Sequence, residues 1–207
     1  MSSPKSLAMI MHDSRWRAAI APWPMMIILA VSLSWPASPV LSDDRIRLDG
    51  ASVEVCFTPG SDCASAVVNA IASARERIWL LGYGFSEPNI LNALAGARQR
   101  AVDVRLILDR SNDNGRYSGA TYMAKMGVPI LIDRSVRIAH NKLILIDRDI
   151  VVMGSLNWTS AGNTKNAENV HILRGVRQLA EIHAAYFRGR EAVSEPYAAA
   201  LPGAKTR

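Results

Sequence analysis

The segment KLILIDRDIVVMG, which runs from Lys142 to Gly154, constrains the fold more than any other part of the chain. It holds two short apolar runs separated by Asp147, Arg148 and Asp149. Apolar runs of this length are typical of buried strands, and so short a polar connection joins antiparallel neighbours. We therefore predict a buried β-hairpin that turns near Arg148.

Four polar residues flank this hairpin at its open end. With pairing centred near Arg148, His140 lies opposite Leu156 or Asn157, and Lys142 lies opposite Gly154 or Ser155. Because side chains alternate along a strand, His140 and Lys142 share a face, as do Ser155 and Asn157. The spacing predicts that these four side chains converge on a small patch at the end of buried strands.

Such a patch has the chemistry to cleave a phosphodiester. A neutral imidazole is a nucleophile near pH 7, and Lys142 offers a positive charge to a non-bridging phosphate oxygen. Ser155 and Asn157 offer neutral donors, and Gly154 lets the backbone come close to substrate. Alternation puts Asp147 on the opposite face from His140, so we expect it to hold the turn or to pair with an arginine.

Other apolar runs alternate with helical patterns along the chain. An α/β layered domain is the expected result, without internal repeats or a linker. The predicted strands lie at residues 53–57, 77–85, 102–109, 128–133 and 168–173. Helices are predicted at residues 64–74 and 176–188, and two more are predicted between them, one that begins at Pro88 and a short one that ends at Met126.

The first 42 residues differ from the rest of the chain. Lys5, Arg15 and Arg17 precede an apolar stretch, and Val40 and Ser42 then offer the small residues that a signal peptidase requires. We predict a signal peptide over residues 1–42, with an uncleaved N-terminal anchor as the alternative. Residues 43–193 are then the catalytic domain and residues 194–207 a flexible tail. The chain is expected to be periplasmic or secreted, or anchored to the inner membrane if the leader is retained.

The net charge indicates the class of binding partner, and the two cysteines bear on whether the protein is exported. The formal net charge of +6 favours polyanions such as nucleic acid or anionic lipid. The two cysteines, Cys56 and Cys63, are close enough to form a disulfide in an exported protein, whereas two free thiols are expected if the chain is not exported. Their spacing is not that of a zinc site.

The pattern of His140, Lys142 and Asp147, followed by Gly154, Ser155 and Asn157, resembles the HKD motif of the phospholipase D superfamily. The chain further resembles the small bacterial members with one motif, which are typified by a periplasmic endonuclease, in the segments VEVCFTPGSDC, AIASARERIWLLGYGFSEPNIL, VDVRLILD and NTKNAEN. The resemblance implies a mixed β-sheet flanked by helices, with one HKD motif per chain.

The resemblance also implies a mechanism and an assembly. One His140 attacks phosphorus to form a phosphohistidine, while a second His140, from a homodimer partner, protonates the leaving oxygen and then activates water. Glu168, placed by the segment NTKNAEN, is expected to hold the imidazole tautomer. Lys142, Asn157, Ser155 and the motif's Asp147 complete the implied set, and no metal or cofactor is required.

Residues outside the motif give weaker expectations. Arg110 and Arg116 follow the end of a predicted strand and are candidates for a substrate loop, although an ordinary solvated turn fits them equally well. Trp158 is a candidate for stacking on a base, whereas Trp79 lies in an apolar run and is expected in the core.

Three functions remain open from the sequence. We favour an exported, metal-independent endonuclease that cleaves DNA or, alternatively, RNA without sequence preference. The same site opens phosphatidyl headgroups, so a hydrolase of cardiolipin-like lipids is the alternative. A catalytically inert DNA-binding accessory protein is disfavoured because His140, Lys142 and Asn157 are all present.

Overall fold

The computed structural model describes residues 46–113 and 118–197. In these two ranges the chain forms one eight-stranded mixed sheet with the order β1-β7-β6-β5-β2-β3-β4-β8. The α/β layered fold predicted from the sequence is confirmed. The strands are β1 (Ser52–Thr58), β2 (Arg77–Gly82), β3 (Asp103–Asp109), β4 (Ile130–Asp133), β5 (Lys142–Ile146), β6 (Ile150–Gly154), β7 (Glu168–Arg174) and β8 (Glu195–Pro196). The helices are α1 (Cys63–Ala72), α2 (Pro88–Gln99), α3 (Gly119–Lys125), α4 (Ser160–Thr164) and α5 (Arg177–Val193).

The predicted hairpin is formed by β5 and β6, with Ile146 opposite Ile150 and Leu143 opposite Met153. This is the first of the two registers expected from the sequence, in which Lys142 lies level with Gly154. On its other side, β5 runs antiparallel to β2 and pairs Lys142 with Gly82. The hairpin is therefore interior to the sheet, and its apolar runs are buried on both faces.

Helices cover both faces of the sheet. On one face α1 and α2 pack on the β2 side chains Ile78 and Leu80. On the other face α5 packs on Trp79 and Leu81, and Phe187 of this helix stacks on Trp79 with ring centroids 4.9 Å apart. Trp79 therefore belongs to the core, as expected. The alternation of β2 side chains between two apolar layers explains why its sequence is apolar throughout.

The disulfide between Cys56 and Cys63 is present and confirms the pairing that we expected of an exported chain. It joins β1 to the first residue of α1, where Cys63 is completely buried. Asp62 caps the same helix, because its side chain accepts a hydrogen bond from the backbone N–H of Ser65. The edge strand is thus fixed to the helical layer by a covalent bond.

Residues 195–197, which the sequence analysis assigned to the flexible tail, belong to the folded domain. Residues Glu195 and Pro196 pair with β4, and Tyr197 is 2% exposed with its hydroxyl 2.7 Å from Thr121 Oγ1. The partners of these residues, β4 and Thr121, are distant in sequence. Composition alone therefore suggested a flexible end. Residues 198–207 and the predicted leader, residues 1–42, lie outside the described residues. Among those described, no helix is both long and apolar enough to span a membrane.

Candidate active site

His140 and Lys142 meet at the carboxyl end of β2. Lys142 Nζ lies 2.9 Å from His140 Nδ1 and donates to the backbone carbonyl of His140 over 2.8 Å. Lys142 is only 8% exposed, whereas the imidazole is exposed. Burial lowers the pKa of Lys142, and the nearby Glu168 carboxylate opposes this shift. A desolvated cation therefore lies directly beside an accessible nucleophile.

Tyr83, which the sequence analysis did not select, supports both side chains. Its ring packs against the His140 imidazole with centroids 4.5 Å apart, and Lys142 Nζ lies 5.2 Å from the centre of the same ring. These distances are within the range of tilted aromatic pairs and cation–π contacts. The signal in the sequence was GYG, a polar aromatic residue between two glycines at the end of a buried strand.

Asn157 lies beside the same turn. A Cβ on Gly84 would be 3.3 Å from Asn157 Cβ and 2.9 Å from Thr159 Cγ2, so only glycine allows this close approach. Asn157 Oδ1 is buried without a hydrogen-bond partner. A buried amide oxygen without a partner is costly in a folded protein, and such atoms are concentrated at functional sites. Asn157 thus lies against Gly84, the residue after Tyr83, whose ring contacts His140 and Lys142.

Gly154 and Ser155 of the GSxN segment both contact the backbone of Asn169 in β7. A Cβ on Gly154 would meet the Asn169 carbonyl oxygen at 2.1 Å, so the close approach that we predicted here is to β7. The exposed Ser155 accepts a hydrogen bond from Asn169 N–H through its Oγ, and its own N–H donates to the Asn169 carbonyl. Ser155 thus fixes the end of β6 next to Glu168.

Glu168 begins β7 and is half-buried. Its carboxylate accepts a hydrogen bond of 3.0 Å from Asn166 and attracts the Lys142 ammonium. The atom within hydrogen-bond distance of His140 Nδ1 is Lys142 Nζ, where the resemblance implied Glu168. Glu168 therefore influences the imidazole through the charge of Lys142 in this arrangement.

Asp109, at the end of β3, holds the segment that leads into His140. Its carboxylate accepts hydrogen bonds from the backbone N–H groups of Ser111 and Ala139, at 2.9 and 2.7 Å. Burial raises the pKa of Asp109, but these hydrogen bonds outweigh burial and bring it below its usual value. Asp109 thus anchors the backbone next to the nucleophile.

Asp147 lies at the other end of β5, far from His140. Its carboxylate accepts hydrogen bonds from three consecutive backbone N–H groups, those of Arg75, Glu76 and Arg77, over 2.7 to 3.2 Å. Asp147 also has a positive φ of 51°, which aspartate tolerates better than most residues. The carboxylate therefore holds the segment between α1 and β2, whereas the sequence led us to expect that it holds the hairpin turn or pairs with an arginine.

The predicted stacking of Trp158 on a base is wrong. Trp158 is 1% exposed, and its indole Nε1 donates to the Leu81 carbonyl at 3.3 Å. Its neighbour Asn157 lies against Gly84, whereas the indole is directed into the core. Arg110 is exposed on the short 3₁₀ turn after β3, where it is free to contact substrate. Arg116 lies outside the described residues.

A groove of about 510 Å³ opens beside His140 and Lys142. The far wall is formed by His171 of β7 and by His183 and Tyr186 of α5. Burial lowers the pKa of His183, which favours its neutral form in the groove. In the part of the chain that the structure describes, no group of three or more His, Cys, Asp or Glu side chains is placed to hold a metal ion.

Comparisons with known proteins agree with this geometry. The sequence profile of the family "Cardiolipin synthase, PLD-like domain" matches residues 67–190, which include the whole HKD motif. A protein of Rickettsia felis named phospholipase D is 40% identical over 142 residues, covering 69% of this chain and 70% of the relative. Mouse mitochondrial cardiolipin hydrolase is 31% identical over 119 residues, covering 57% of this chain and 54% of the relative.

A solved structure shows the same fold. The crystal structure of Nuc from Salmonella typhimurium, a phospholipase D family member, superposes with a TM-score of 0.68 at 33% identity. The match covers 71% of this chain and 98% of Nuc. The His140–Lys142 pair, the profile match and the likeness to Nuc agree with one another. The chain therefore belongs to the phospholipase D superfamily and is a phosphodiesterase of that superfamily.

Proposed function

We propose that this protein is an exported, metal-independent endonuclease that cleaves DNA, or alternatively RNA, as a homodimer. The observation that supports it most directly is the buried Lys142 ammonium at 2.9 Å from the exposed His140 imidazole. A desolvated positive charge binds a phosphate oxygen strongly, and the imidazole next to it can reach phosphorus. Export accords with the disulfide of Cys56 and Cys63 and with the composition of residues 1–42.

The proposed reaction begins with attack of one His140 on phosphorus, which forms an N–P bond. The P–O bond to the leaving group breaks, and the partner subunit's His140 gives that oxygen its proton. Water, deprotonated by the same partner's His140, then breaks the N–P bond and releases the phosphate product. The Lys142 ammonium and the Asn157 amide N–H groups stabilise the charge that develops on the phosphate oxygens.

An exposed apolar strip supports the homodimer. Val53, Val55 and Phe57 lie on one face of the edge strand β1 and are 50%, 47% and 62% exposed. Val55 pairs with His171, which lines the groove beside His140. Exposed apolar rows of this kind are a common feature of interfaces, and a second copy packed here lies next to the active-site groove.

The substrate class rests on charge and on the resemblance to the small single-motif endonucleases. Removal of residues 1–42, which hold three basic residues and one acidic residue, lowers the formal net charge from +6 to +4, and this positive charge still favours a polyanion. A lipid hydrolase is the second candidate, because similar proteins are named phospholipase D and mitochondrial cardiolipin hydrolase. The site chemistry is the same for both, so the two candidates differ in the substrate that reaches His140.

Incubation of the purified protein with supercoiled plasmid in EDTA tests the proposal. The expected result is loss of supercoiled DNA with the wild type and none with His140→Asn, together with a steep fall in DNA affinity as salt rises. No DNA or RNA cleavage by a folded dimer that hydrolyses cardiolipin liposomes would establish the lipid alternative. Cleavage by His140→Asn would refute the assignment of the nucleophile.

The dimer is tested by charging the apolar strip. Phe57→Glu is expected to sediment as a monomer and to lose activity, since each site needs two copies of His140. Val193→Glu is a matched control, because Val193 is also 50% exposed but lies at the end of α5. A fully active Phe57→Glu monomer would contradict the shared site.

A further inference from the structure

A second cavity, of about 220 Å³, lies at the end of the sheet opposite to His140. Its wall contains Arg77 from the start of β2, Arg148 from the turn between β5 and β6, and Arg188 from α5. We call this cavity the arginine pocket. Arg77 lies five positions before Gly82, the partner of Lys142, which corresponds to about 16 Å of strand. The arginine pocket is thus separate from the active site.

Arginines outnumber acidic residues in the lining of the arginine pocket, by three to one. Glu181 of α5 also lines it, and Glu76 pairs with Arg148 from outside at 3.2 Å. The Asp147 carboxylate is hydrogen-bonded to backbone N–H groups and, like Glu76, lies close enough for its charge to act on Arg77. Within residues 46–113 and 118–197, Arg188 forms no ion pair. The lining itself therefore carries three guanidinium groups and one carboxylate, and two further carboxylates, Glu76 and Asp147, lie outside it.

Arg77 is held in place by its surroundings. Its Nε donates to the Asp147 carbonyl over 2.7 Å, and its guanidinium lies 4.3 Å from the centre of the Trp79 ring. Trp79 is itself stacked on Phe187 of α5. Burial, followed by repulsion from Arg148 and Arg188, lowers the pKa of Arg77. Like charges that converge on one cavity repel each other, and a bound anion removes that cost.

We propose that the arginine pocket binds the phosphate group of a small molecule, either inorganic phosphate or a phosphate monoester. A carboxylate presents two oxygens in one plane, whereas a phosphate presents oxygens in several directions and can meet guanidinium groups from three structural elements. The cavity has room for several water molecules at roughly 30 Å³ each, so a small organic group fits beside the phosphate.

Arginine side-chain NMR tests this site without relying on catalysis. Inorganic phosphate or adenosine monophosphate is titrated into the full chain while the Nε–Hε signals of Arg77, Arg148 and Arg188 are followed. The expected result is a saturable shift of these signals with at least one of the two ligands. Tighter binding of the nucleotide identifies a monoester as the preferred ligand, and equal binding identifies the phosphate group alone.

The double variant Arg148→Gln/Arg188→Gln leaves the catalytic residues and the Arg77 contacts in place. It is expected to weaken phosphate binding at Arg77 at least ten-fold while phosphodiesterase activity without added phosphate stays unchanged. Arg98→Gln/Lys125→Gln removes the same charge from exposed positions on α2 and α3 and is expected to bind like the wild type.

Two results would overturn the proposal. One is the absence of a saturable shift of the three signals with either ligand. The other is an equal loss of affinity in both double variants, which would mean that the effect comes from net charge. Phosphate bound at the active site does not interfere, because it perturbs the signals of His140 and Lys142 at the other end of β5.

Discussion

The Oδ2 atom of Asp109 accepts a hydrogen bond of 2.7 Å from the backbone N–H of Ala139, the residue before His140. The two residues lie 30 positions apart in the sequence. The contact fixes the chain next to the nucleophile at the point where it enters β5. The position of His140 thus depends on a carboxylate at the end of β3.

Asp109→Asn should reduce both stability and turnover. The change removes the negative charge that accepts two backbone hydrogen bonds in a buried position, which costs about 1–3 kcal/mol of the free energy of unfolding. The lowered pKa of Asp109 means that its contribution is present at neutral pH and is lost as the pH falls through the folded-state pKa. Urea unfolding of both proteins from pH 7 to pH 3 should show the difference shrinking toward acid; a constant difference would contradict this role.

Tyr83→Leu should lower kcat more than it changes KM, because the ring orients His140 and Lys142 and does not hold the rest of the substrate. Loss of the aromatic and cation–π contacts predicts a decrease in kcat of roughly five- to ten-fold. Tyr83→Phe is the matched variant, since it keeps the ring and removes only the hydroxyl. Steady-state kinetics should show near wild-type kcat for Phe, and equal loss in the two variants would assign the effect to the hydroxyl instead.

Lys142→Met should abolish turnover and change how stability depends on pH. The folded-state pKa of Lys142 is lowered, so above it the unfolded chain binds a proton that the folded chain does not. The free energy of unfolding of the wild type therefore gains relative to Lys142→Met as the pH rises from the folded pKa toward the usual value of 10.5. Denaturation curves of the two proteins at successive alkaline pH values measure this gain, and parallel curves would show that burial does not perturb the ammonium.

Asp147→Asn should destabilise the fold while leaving the chemistry of each folded molecule intact. The asparagine keeps one acceptor oxygen and tolerates the positive φ, but it loses charge-assisted hydrogen bonds to three N–H groups, at a cost of about 1–3 kcal/mol. Asp49→Asn is a suitable control, because Asp49 is an exposed carboxylate that pairs with Arg47 on the surface. A large fall in kcat, measured on the folded fraction, would be inconsistent with an anchoring role.

The local pattern of the sequence predicted the strands except β8, limited the register of the β5–β6 hairpin to two alternatives and placed His140 and Lys142 on one face. These features depend on alternation along one strand and on a short turn, which neighbouring residues decide by themselves. The spacing of the HKD motif predicted the family for the same reason, because this spacing reflects which side chains one hairpin presents.

Only the tertiary structure decided which distant residues complete the site. Tyr83 and Asp109 contact the nucleophile segment because the carboxyl ends of the parallel strands β2 and β3 meet the start of β5. Trp158 was expected at the surface but is buried, because its indole reaches the Leu81 carbonyl in the core. Such contacts depend on how strands far apart in sequence pack side by side, and the pattern within any one strand does not specify them.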